Sequence, residues 1–373
     1  VGPIPTPAIS YLANSFKKQA GIVISASHNS YEDNGIKFFG DDGKKISDSL
    51  EQKIEQKLSK DMIVVDAKYL GKAERISDAN GRYIEFCKSA LKRDINFSSL
   101  KIVLDVANGA AYDVAPRVFR ELGAELIVIA DKPNGMNINK DCGSTNIELL
   151  KKEVKKHAAD FGLALDGDGD RLIFVDENSK ELDGDEILFI LARDKFENQI
   201  TLGSKGVVGT SMTNKGLEIV LKEFGIDLIR ADVGDRHVLQ KLEELEWDLG
   251  GEQSGHIMCL DLANTGDAIV SSIKFLEAVL CSDKSLNQLL KPFKKYPQIL
   301  TKVKTTNPDR ILSNNKFVSL YENFLEEIKL KDGRINIRKS GTESAIRIMV
   351  ESTDENYTKD ISDKLTKAAH QIA

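Results

Sequence analysis

Three carboxylates stand at alternate positions in the segment Asp166-Gly-Asp-Gly-Asp-Arg171. The intervening glycines let the backbone fold tightly, so Asp166, Asp168 and Asp170 can converge on one point. Three neighbouring anions repel one another, and a divalent cation with oxygen ligands is their natural partner. The spacing therefore predicts a metal site, with a solvated acidic turn as the alternative.

The same segment fits part of a calcium-binding EF-hand loop, since Glu177 stands at the twelfth position counted from Asp166. Two features oppose that interpretation. Arg171 occupies the position at which the EF-hand requires glycine. The flanking segments 161–166 and 171–176 are apolar runs typical of strands rather than helices. We therefore reject the EF-hand.

A candidate nucleophile follows the apolar run GIVIS at residues 21–25, which predicts a strand. Ser27, His28 and Asn29 come directly after it. The Gly-x-Ser-x-Gly pattern of esterases does not surround Ser27, which opposes a serine hydrolase. The sequence leaves two interpretations of this stretch: a polar turn, or a serine displayed at the end of a strand as a nucleophile.

Two further loops carry groups suited to a sugar phosphate. Glu252 and Ser254, separated by one residue, point the same way from an extended backbone and can bind neighbouring hydroxyls of a polyol. A glycine-rich turn with a satisfied glutamate is the alternative. The turn at 338–343, with Arg347 on the next predicted strand, can form an oxyanion cradle. A basic hairpin turn is the alternative there.

Short apolar runs alternate with amphipathic segments, which is typical of α/β layers. Residues 101–130 and 205–232 share one layout of strand, helix and strand, and Gly123 and Gly225 stand at helix C-cap positions. This layout indicates related α/β modules, with 21–25 in a third copy. Two strands near the C-terminus followed by a helix predict a separate, smaller α+β domain.

Composition limits the possible functions. The 373 residues correspond to two to four domains at roughly 150 residues each. The net charge of −6 and the mixed lysines and glutamates argue against nucleic-acid binding. No apolar run approaches the ~18 residues of a membrane span. Four widely spaced cysteines indicate reduced thiols and a cytoplasmic location. The opening at Val1 is typical of the middle of a domain, so we expect an incomplete N-terminus.

Four motifs together resemble the signature of the α-D-phosphohexomutase family. They are SASHN at 25–29, DGDGDR at 166–171, GEQSGH at 251–256 and RKSGTES at 338–344. Their order matches the family, and they span nearly the whole chain, although Ser30 stands where the family commonly has proline. The resemblance implies three topologically similar α/β domains and a smaller α+β domain around a central cleft. The implied boundaries are 1–92, 93–194, 195–299 and 300–373.

The resemblance also implies the roles of individual residues. Ser27 would carry the phosphoryl group, and one Mg²⁺ per chain would be held by Asp166, Asp168, Asp170 and the Ser27 phosphate. Lys37 would act as a general acid/base or charge stabiliser, and His28 and Arg171 would orient or contact the transferring group. The implied substrate-binding residues are Asn29, Asp235, Arg236, Glu252, Ser254, Gly255, His256, Arg338, Ser340, Gly341, Thr342 and Arg347.

The contexts GEQSGH, VGDRH and NGIKFF favour an amino sugar as the substrate. The implied reaction is the interconversion of glucosamine 6-phosphate and glucosamine 1-phosphate through a 1,6-bisphosphate that also serves as activator. Phosphates of mannose and glucose are the alternative substrates, and a non-catalytic sugar-phosphate or metal-binding protein is the alternative class. We expect a sugar phosphate as the ligand, no nucleic-acid or membrane partner, and a homodimer as one oligomeric state.

Overall fold

The structure, a computed structural model, describes residues 1–198, 206–340 and 344–373. Its first sheet is the antiparallel pair β1–β2, with α1 packed on it. The side chains of β1 alternate: Val23 is buried beside α1, whereas Ile22 and Ile24 are exposed. The elements of this region are α1 (Thr6–Ser15), β1 (Gly21–Ser25), β2 (Gly35–Phe39), α2 (Asp48–Leu58) and α3 (Ala79–Lys88).

The second sheet has the strand order β4-β3-β5-β6-β7. Strand β3 pairs in parallel with β4 and β5, whereas β6 is antiparallel to both of its neighbours. The predicted strand–helix–strand unit at 101–130 is confirmed as β3–α4–β4. The elements are β3 (Lys101–Asp105), α4 (Val114–Glu121), β4 (Glu125–Ile129), α5 (Glu148–His157), β5 (Phe161–Leu165), β6 (Leu172–Asp176) and β7 (Glu181–Leu182).

The third sheet has the order β11-β10-β8-β9 and contains the second predicted unit as β8–α7–β9. Helix α6 packs on α7 and α9, and the implied boundary between residues 194 and 195 falls within it. The elements are α6 (Gly184–Glu197), β8 (Gly206–Thr210), α7 (Lys215–Glu223), β9 (Asp227–Ala231), α8 (Asp235–Leu245), β10 (Leu249–Gly251), β11 (Ile257–Cys259), α9 (Ala268–Leu280) and α10 (Leu286–Leu290).

The fourth sheet is antiparallel, with the order β12-β14-β13, and it confirms the predicted C-terminal strand pair. Its apolar core is separate from the core that runs through the first three regions. The implied boundary at 299/300 falls within β12. The elements are β12 (Gln298–Lys304), α11 (Pro308–Leu312), α12 (Asn315–Lys329), β13 (Arg334–Lys339), β14 (Ala345–Glu351) and α13 (Glu355–His370).

The first three sheets share one feature that matters for function. Each contains an antiparallel pair, β1–β2, β5–β6 or β10–β11, whose connecting loop carries one of the motifs. In the second and third sheets this pair lies beside two parallel strands, so the orders β4-β3-β5-β6 and β9-β8-β10-β11 correspond. The predicted relation between the α/β modules is confirmed. Across the described residues, no helix is both long and apolar enough to cross a membrane.

Candidate active site

Ser27 lies in the loop between β1 and β2, and we call residues 26–29 the serine loop. Its backbone adopts a φ of +52°, a left-handed conformation that is uncommon for residues with a Cβ. The Ser27 amide donates to Ser25 Oγ at 2.9 Å, and the Asn29 amide donates to the Ala26 carbonyl at 2.9 Å. The Ser27 hydroxyl is 3.4 Å from His28 Nδ1. Local hydrogen bonds therefore hold the serine in a strained turn.

The three predicted carboxylates converge in the loop between β5 and β6, residues 166–171, which we call the aspartate loop. Asp166, Asp168 and Asp170 are all buried, and one ligand oxygen from each lies within 4.8 Å of the others. Asp166 Oδ1 accepts hydrogen bonds from the amides of Asp170 and Arg171, each at 3.1 Å. Both flanking elements are strands, which agrees with the exclusion of an EF-hand.

The aspartate loop fits a divalent cation. Within the described part of the chain, Asp166 Oδ2, Asp168 Oδ1 and Asp170 Oδ1 are buried and have no hydrogen-bond partner. Burial raises the pKa of Asp166 well above its usual value, and the charges of Asp170 and Asp168 raise it further. Buried carboxylate oxygens without donors are costly unless a cation compensates them. A hard cation such as Mg²⁺ prefers this oxygen-rich ligand set.

The serine loop and the aspartate loop are in direct contact. A Cβ atom added at Gly167 would lie 2.5 Å from the Ser27 carbonyl oxygen, so the close approach requires glycine. Lys37 Nζ, from β2, lies 2.6 Å from Asp168 Oδ2 and 3.0 Å from Asp170 Oδ2. The structure therefore brings the predicted nucleophile, lysine and metal ligands into one site.

Electrostatics set the charge of the two basic groups beside the serine. Burial opposes the charged form of Lys37, but Asp170 and Asp168 outweigh it, so the pKa of the ammonium lies above its usual value. Burial lowers the pKa of His28 below 6.5, and the positive charge of Arg171 lowers it further. At neutral pH, Lys37 is a cation and His28 is a neutral imidazole.

The loop between β10 and β11 contributes a buried network as well as exposed groups. Glu252 is buried and accepts a hydrogen bond from the Gly234 amide at 2.9 Å, whereas Ser254 is exposed. Gly255 has a φ of +92°, and a Cβ there would lie 2.2 Å from the Leu172 carbonyl oxygen. The loop is therefore fixed against β6.

His256 connects the aspartate loop to the start of α8. The imidazole is buried, with Nδ1 3.6 Å from Asp170 Oδ1 and Nε2 3.9 Å from Asp235 Oδ2. The Lys45 ammonium donates to the Asp235 carboxylate. The Arg236 guanidinium lies elsewhere, because it donates to Asp48 and Glu51 of α2. The structure therefore groups His256 and Asp235 with the metal-ligand set, and it places Arg236 in a contact between α8 and α2.

The predicted oxyanion cradle lies on the fourth sheet. Arg338 and Arg347 are direct cross-strand partners in β13 and β14. Burial lowers the pKa of Arg338, and the neighbouring Arg347 lowers it further. Over the residues that the structure describes, Arg338 Nε and Ser340 Oγ are buried without a hydrogen-bond partner. Two like charges facing each other favour an anion between them. Gly341 and Thr342 lie outside the described residues.

Sequence reasoning missed three residues that hold the site together. Thr6 Oγ1 donates to Asp168 Oδ2 at 2.6 Å, and the Thr6 amide donates to the Asp168 carbonyl at 2.8 Å. Asn139 donates to two carbonyls of the serine loop. Lys45 binds Asp235 as described above. The only sequence signals are a proline-flanked threonine in GPIPTPAIS and an asparagine-rich stretch at 134–139.

Four sequence models of one family match consecutive parts of the chain. They are described as phosphoglucomutase/phosphomannomutase alpha/beta/alpha domains I, II and III and the C-terminal domain of the same family. The matched residues are 1–63, 81–180, 183–296 and 300–368.

The chain belongs to the phosphoglucomutase/phosphomannomutase family, the α-D-phosphohexomutases. Its similar relatives within that family include phosphoglucosamine mutase 2 of Shewanella frigidimarina, 50% identical over 98% of this chain and 82% of that protein. Phosphoglucosamine mutase of Acinetobacter baumannii is 48% identical over 100% of this chain and 82% of that protein.

Solved structures share the fold. A phosphoglucomutase/phosphomannomutase family protein from Burkholderia thailandensis superposes with a TM-score of 0.78 at 23% identity, covering 98% of this chain and 81% of that one. An N-acetylphosphoglucosamine mutase from Aspergillus fumigatus, in complex with GlcNAc-6P and magnesium, gives a TM-score of 0.72 at 18% identity. That match covers 98% of this chain and 92% of the fungal one.

Proposed function

We propose that this enzyme is an intramolecular phosphotransferase that interconverts glucosamine 6-phosphate and glucosamine 1-phosphate. The observation that carries the proposal is the contact between the serine loop and the aspartate loop, whose three buried carboxylates each have one oxygen without a hydrogen-bond partner in the described chain. Identity of 48–50% to phosphoglucosamine mutases over nearly the whole chain supports the amino sugar as substrate. The reaction would supply an amino-sugar 1-phosphate for cell-wall precursors.

In the proposed cycle, phosphorylated Ser27 gives its phosphoryl group to O1 of glucosamine 6-phosphate. The bond between Ser27 Oγ and phosphorus breaks, the bond between phosphorus and O1 forms, and the proton of the O1 hydroxyl is balanced by the proton that Ser27 Oγ gains, so glucosamine 1,6-bisphosphate and a free Ser27 hydroxyl result. This intermediate turns around in the cleft. Its 6-phosphoryl group then returns to Ser27 Oγ, and glucosamine 1-phosphate leaves. The cycle therefore regenerates the phosphoserine and needs no external phosphate, while free 1,6-bisphosphate can act as an activator.

The chain's own residues divide this work. Lys37 brings positive charge to the transferring group, and its raised pKa keeps the ammonium protonated, which favours the role of charge stabiliser over that of general acid/base. Neutral His28 lies 3.4 Å from Ser27 Oγ, where it can exchange a hydrogen bond with the serine oxygen. Arg171 adds a guanidinium whose Nε has no protein partner in the described chain. These groups would hold the phosphoryl oxygens during transfer.

Asp166, Asp168, Asp170 and the Ser27 phosphate would hold one Mg²⁺. When bound, Mg²⁺ supplies charge neutralisation to the phosphoryl oxygens. Arg338, Ser340 and Arg347, with Gly341 and Thr342, would bind the phosphate that does not react. Glu252, Ser254 and Gly255, with Asn29, Asp235 and His256, would surround the sugar. We also propose that the enzyme is cytoplasmic and forms a homodimer.

Intact-mass measurement of the purified protein tests the phosphoryl carrier. We expect an adduct of one phosphoryl group on Ser27 and complete loss of both adduct and mutase activity in Ser27→Ala. Ser30→Ala removes a neighbouring hydroxyl outside the serine loop and is the matched control, with activity retained. Full activity of Ser27→Ala would refute the role assigned to this serine.

Neutral sugars are the alternative substrates, because the matched family models are named for phosphoglucomutase and phosphomannomutase. A coupled assay that compares glucosamine 6-phosphate with glucose 1-phosphate and mannose 1-phosphate separates the two. We expect the largest kcat/KM with the amino sugar. Faster turnover of either neutral sugar would overturn the substrate assignment while leaving the phosphoserine chemistry intact.

A further inference from the structure

Asn139 lies in the long connection between β4 and α5, outside all four motifs. Its Nδ2 donates to the Ser27 carbonyl at 2.8 Å and to the Asn29 carbonyl at 2.7 Å. Both acceptors are carbonyl oxygens, so only the amide nitrogen of the side chain can face them. The two amide hydrogens therefore bind the two carbonyls that enclose His28.

The serine loop needs such a contact because its conformation is unfavourable by itself. Ser27 has a φ of +52°, and the left-handed region is unfavourable for a residue with a Cβ. Strained backbone persists only where surrounding contacts fix it. The local bonds inside the loop use the amides of Ser27 and Asn29. Asn139 binds the carbonyls of the same two residues. Both the amide and the carbonyl of Ser27 and of Asn29 therefore have a hydrogen-bond partner.

Asn139 is itself held by the second sheet. Its amide donates to the Ala107 carbonyl at 2.9 Å, and its own φ is +57°. The Ala107 amide donates to Asp105 Oδ1 at 2.9 Å, and the Gly143 amide donates to Asp105 Oδ2 at 2.8 Å. Asp105 is fully buried at the end of β3. A continuous set of hydrogen bonds therefore connects the core of the second sheet to Ser27.

We infer that Asn139 is a positioning residue for phosphoryl transfer, which fixes the direction of the Ser27 side chain relative to the aspartate loop. This inference rests on the proposed function. Asn139 acts through the serine loop, and it contributes to the rate of the transfer step rather than to binding of the sugar. A displacement of about 1 Å in a reacting group can cost about 100-fold in rate.

Two substitutions at Asn139 test this role. Asn139→Asp keeps the shape but places carboxylate oxygen against two carbonyl oxygens, so we expect kcat to fall about 100-fold. Asn139→Ala removes the donors without adding repulsion, and we expect a loss of about tenfold. In both variants KM for glucosamine 6-phosphate stays within about threefold, since ground-state binding is unchanged. Single-turnover transfer from phosphorylated Ser27, followed by intact mass, falls by the same factors.

Asn137→Ala is the matched control. The Asn137 side chain binds the Lys132 carbonyl and the Asn134 amide within the same connection and makes no hydrogen bond to the serine loop. We expect its kcat to stay within about twofold of the wild-type value. Equal losses of kcat in Asn137→Ala and Asn139→Ala would show that the effect comes from general order of the connection between β4 and α5. That result would overturn the inference.

Two other outcomes also decide the matter. Wild-type kcat in Asn139→Asp, with the wild-type enzyme active and phosphorylated, would overturn the role of Asn139 and leave the proposed function intact. An unphosphorylated wild-type protein without mutase activity would overturn the proposed function and this inference together. If Asn139→Asp does not fold, as judged by its thermal unfolding, the kcat and KM of Asn139→Ala decide the question.

Discussion

Two junctions in this molecule are built in different ways. Where the serine loop meets the aspartate loop, main-chain atoms are in close contact, and the contact tolerates no Cβ at Gly167. Where the fourth sheet meets the third region, charged side chains make the contact: Arg334, which pairs with Glu351 within the fourth sheet at 2.8 Å, donates to the Ser211 carbonyl of the third region at 2.9 Å. The apolar cores on the two sides of this second junction are separate.

The segment that connects α10 to β12, residues 291–297, is attached to the third region through Asn214. Asn214 Nδ2 donates to the Tyr296 carbonyl at 3.0 Å, and its Oδ1 accepts from the Tyr296 amide at 2.9 Å. Beyond Tyr296, polar contacts carry the attachment, including the Lys215 amide donating to Glu351 at 2.7 Å. A junction of hydrogen bonds can be rearranged at lower cost than a buried apolar core. The difference suits a site in which chemistry stays fixed while phosphate recognition adjusts.

The largest effect is expected from breaking the first junction. Gly167→Ala forces the aspartate loop away from Ser27, because the added methyl would lie 2.5 Å from the Ser27 carbonyl oxygen and 2.5 Å from Ile138. We expect kcat to fall by about 100-fold or more. Gly81→Ala, in α3, has open space around its Cβ and is the control. Wild-type kcat in Gly167→Ala would show that the two loops need no close contact.

A smaller effect is expected from the contact that orients Asp168. Thr6→Val removes the hydroxyl that donates to Asp168 Oδ2 at 2.6 Å while keeping the volume of the side chain. Groups that orient a metal ligand typically contribute 10–100-fold to metal affinity, so we expect Mg²⁺ binding, measured by calorimetry, to weaken about tenfold. Thr6→Ser keeps the donor and should bind Mg²⁺ nearly as the wild type does. Equal Mg²⁺ affinity in all three proteins would show that Thr6 does not orient Asp168 for metal binding.

A substitution that weakens the second junction should raise KM and leave kcat unchanged. Arg334→Lys keeps the charge but cannot reach Glu351 and the carbonyls of Ser211 and Thr213 together. Substrate binding must then order the fourth sheet, and a cost of about 1 kcal/mol corresponds to a roughly fivefold higher KM. Arg117→Lys, an exposed arginine in α4, is the control. A fall in kcat at unchanged KM would contradict the proposed division between the junctions.

The sequence could predict the chemistry of the first junction but not its contacts. Ser27 and the three aspartates follow apolar runs in local motifs, and local patterns are visible in one sequence. Thr6 and Asn139 act on residues 162 and 112 positions away, so nothing in their neighbourhood reveals the partner. Arg236 illustrates the opposite problem. Its motif predicted that it binds the substrate, whereas in the structure its guanidinium donates to the acidic residues Asp48 and Glu51 of α2.

The predicted strands and helices agree with the structure to within one or two residues at most ends. The helix of the predicted unit at 101–130 ends at Glu121, and Gly123, the glycine predicted to end it, follows with a φ of +102°. The apolar runs identified strands because buried strands need continuous apolar side chains. Strand order was not predictable, since β3 pairs with β5 across a connection that contains α4, β4 and α5.

The smallest predicted effect concerns the pH dependence of stability at the second junction. Asp185 is buried in α6, its Oδ2 accepts from the Asn214 amide at 2.9 Å, and Asp183, Lys295 and Glu351 lie around it. Burial, followed by the charge of Asp183, raises the pKa of Asp185 from 3.8 to about 8. Between these two values the folded protein keeps a proton that the unfolded chain has released. Stability therefore falls as the pH rises through this window.

Asp185→Asn removes this titration and keeps an oxygen for the Asn214 amide. Measured by thermal unfolding from pH 5 to pH 8.5, the Tm of the variant should rise steadily relative to that of the wild type, by about 2–4 °C for each 1 kcal/mol of stability that the wild type loses. Asp332→Asn is the control at the same junction, because hydrogen bonds from Lys215 and Tyr296 lower the pKa of Asp332. That variant should lose a constant amount over the same range. If the Tm of the wild type and that of Asp185→Asn changed in parallel with pH, Asp185 would be charged in the folded protein. The groups of the second junction would then already compensate its carboxylate.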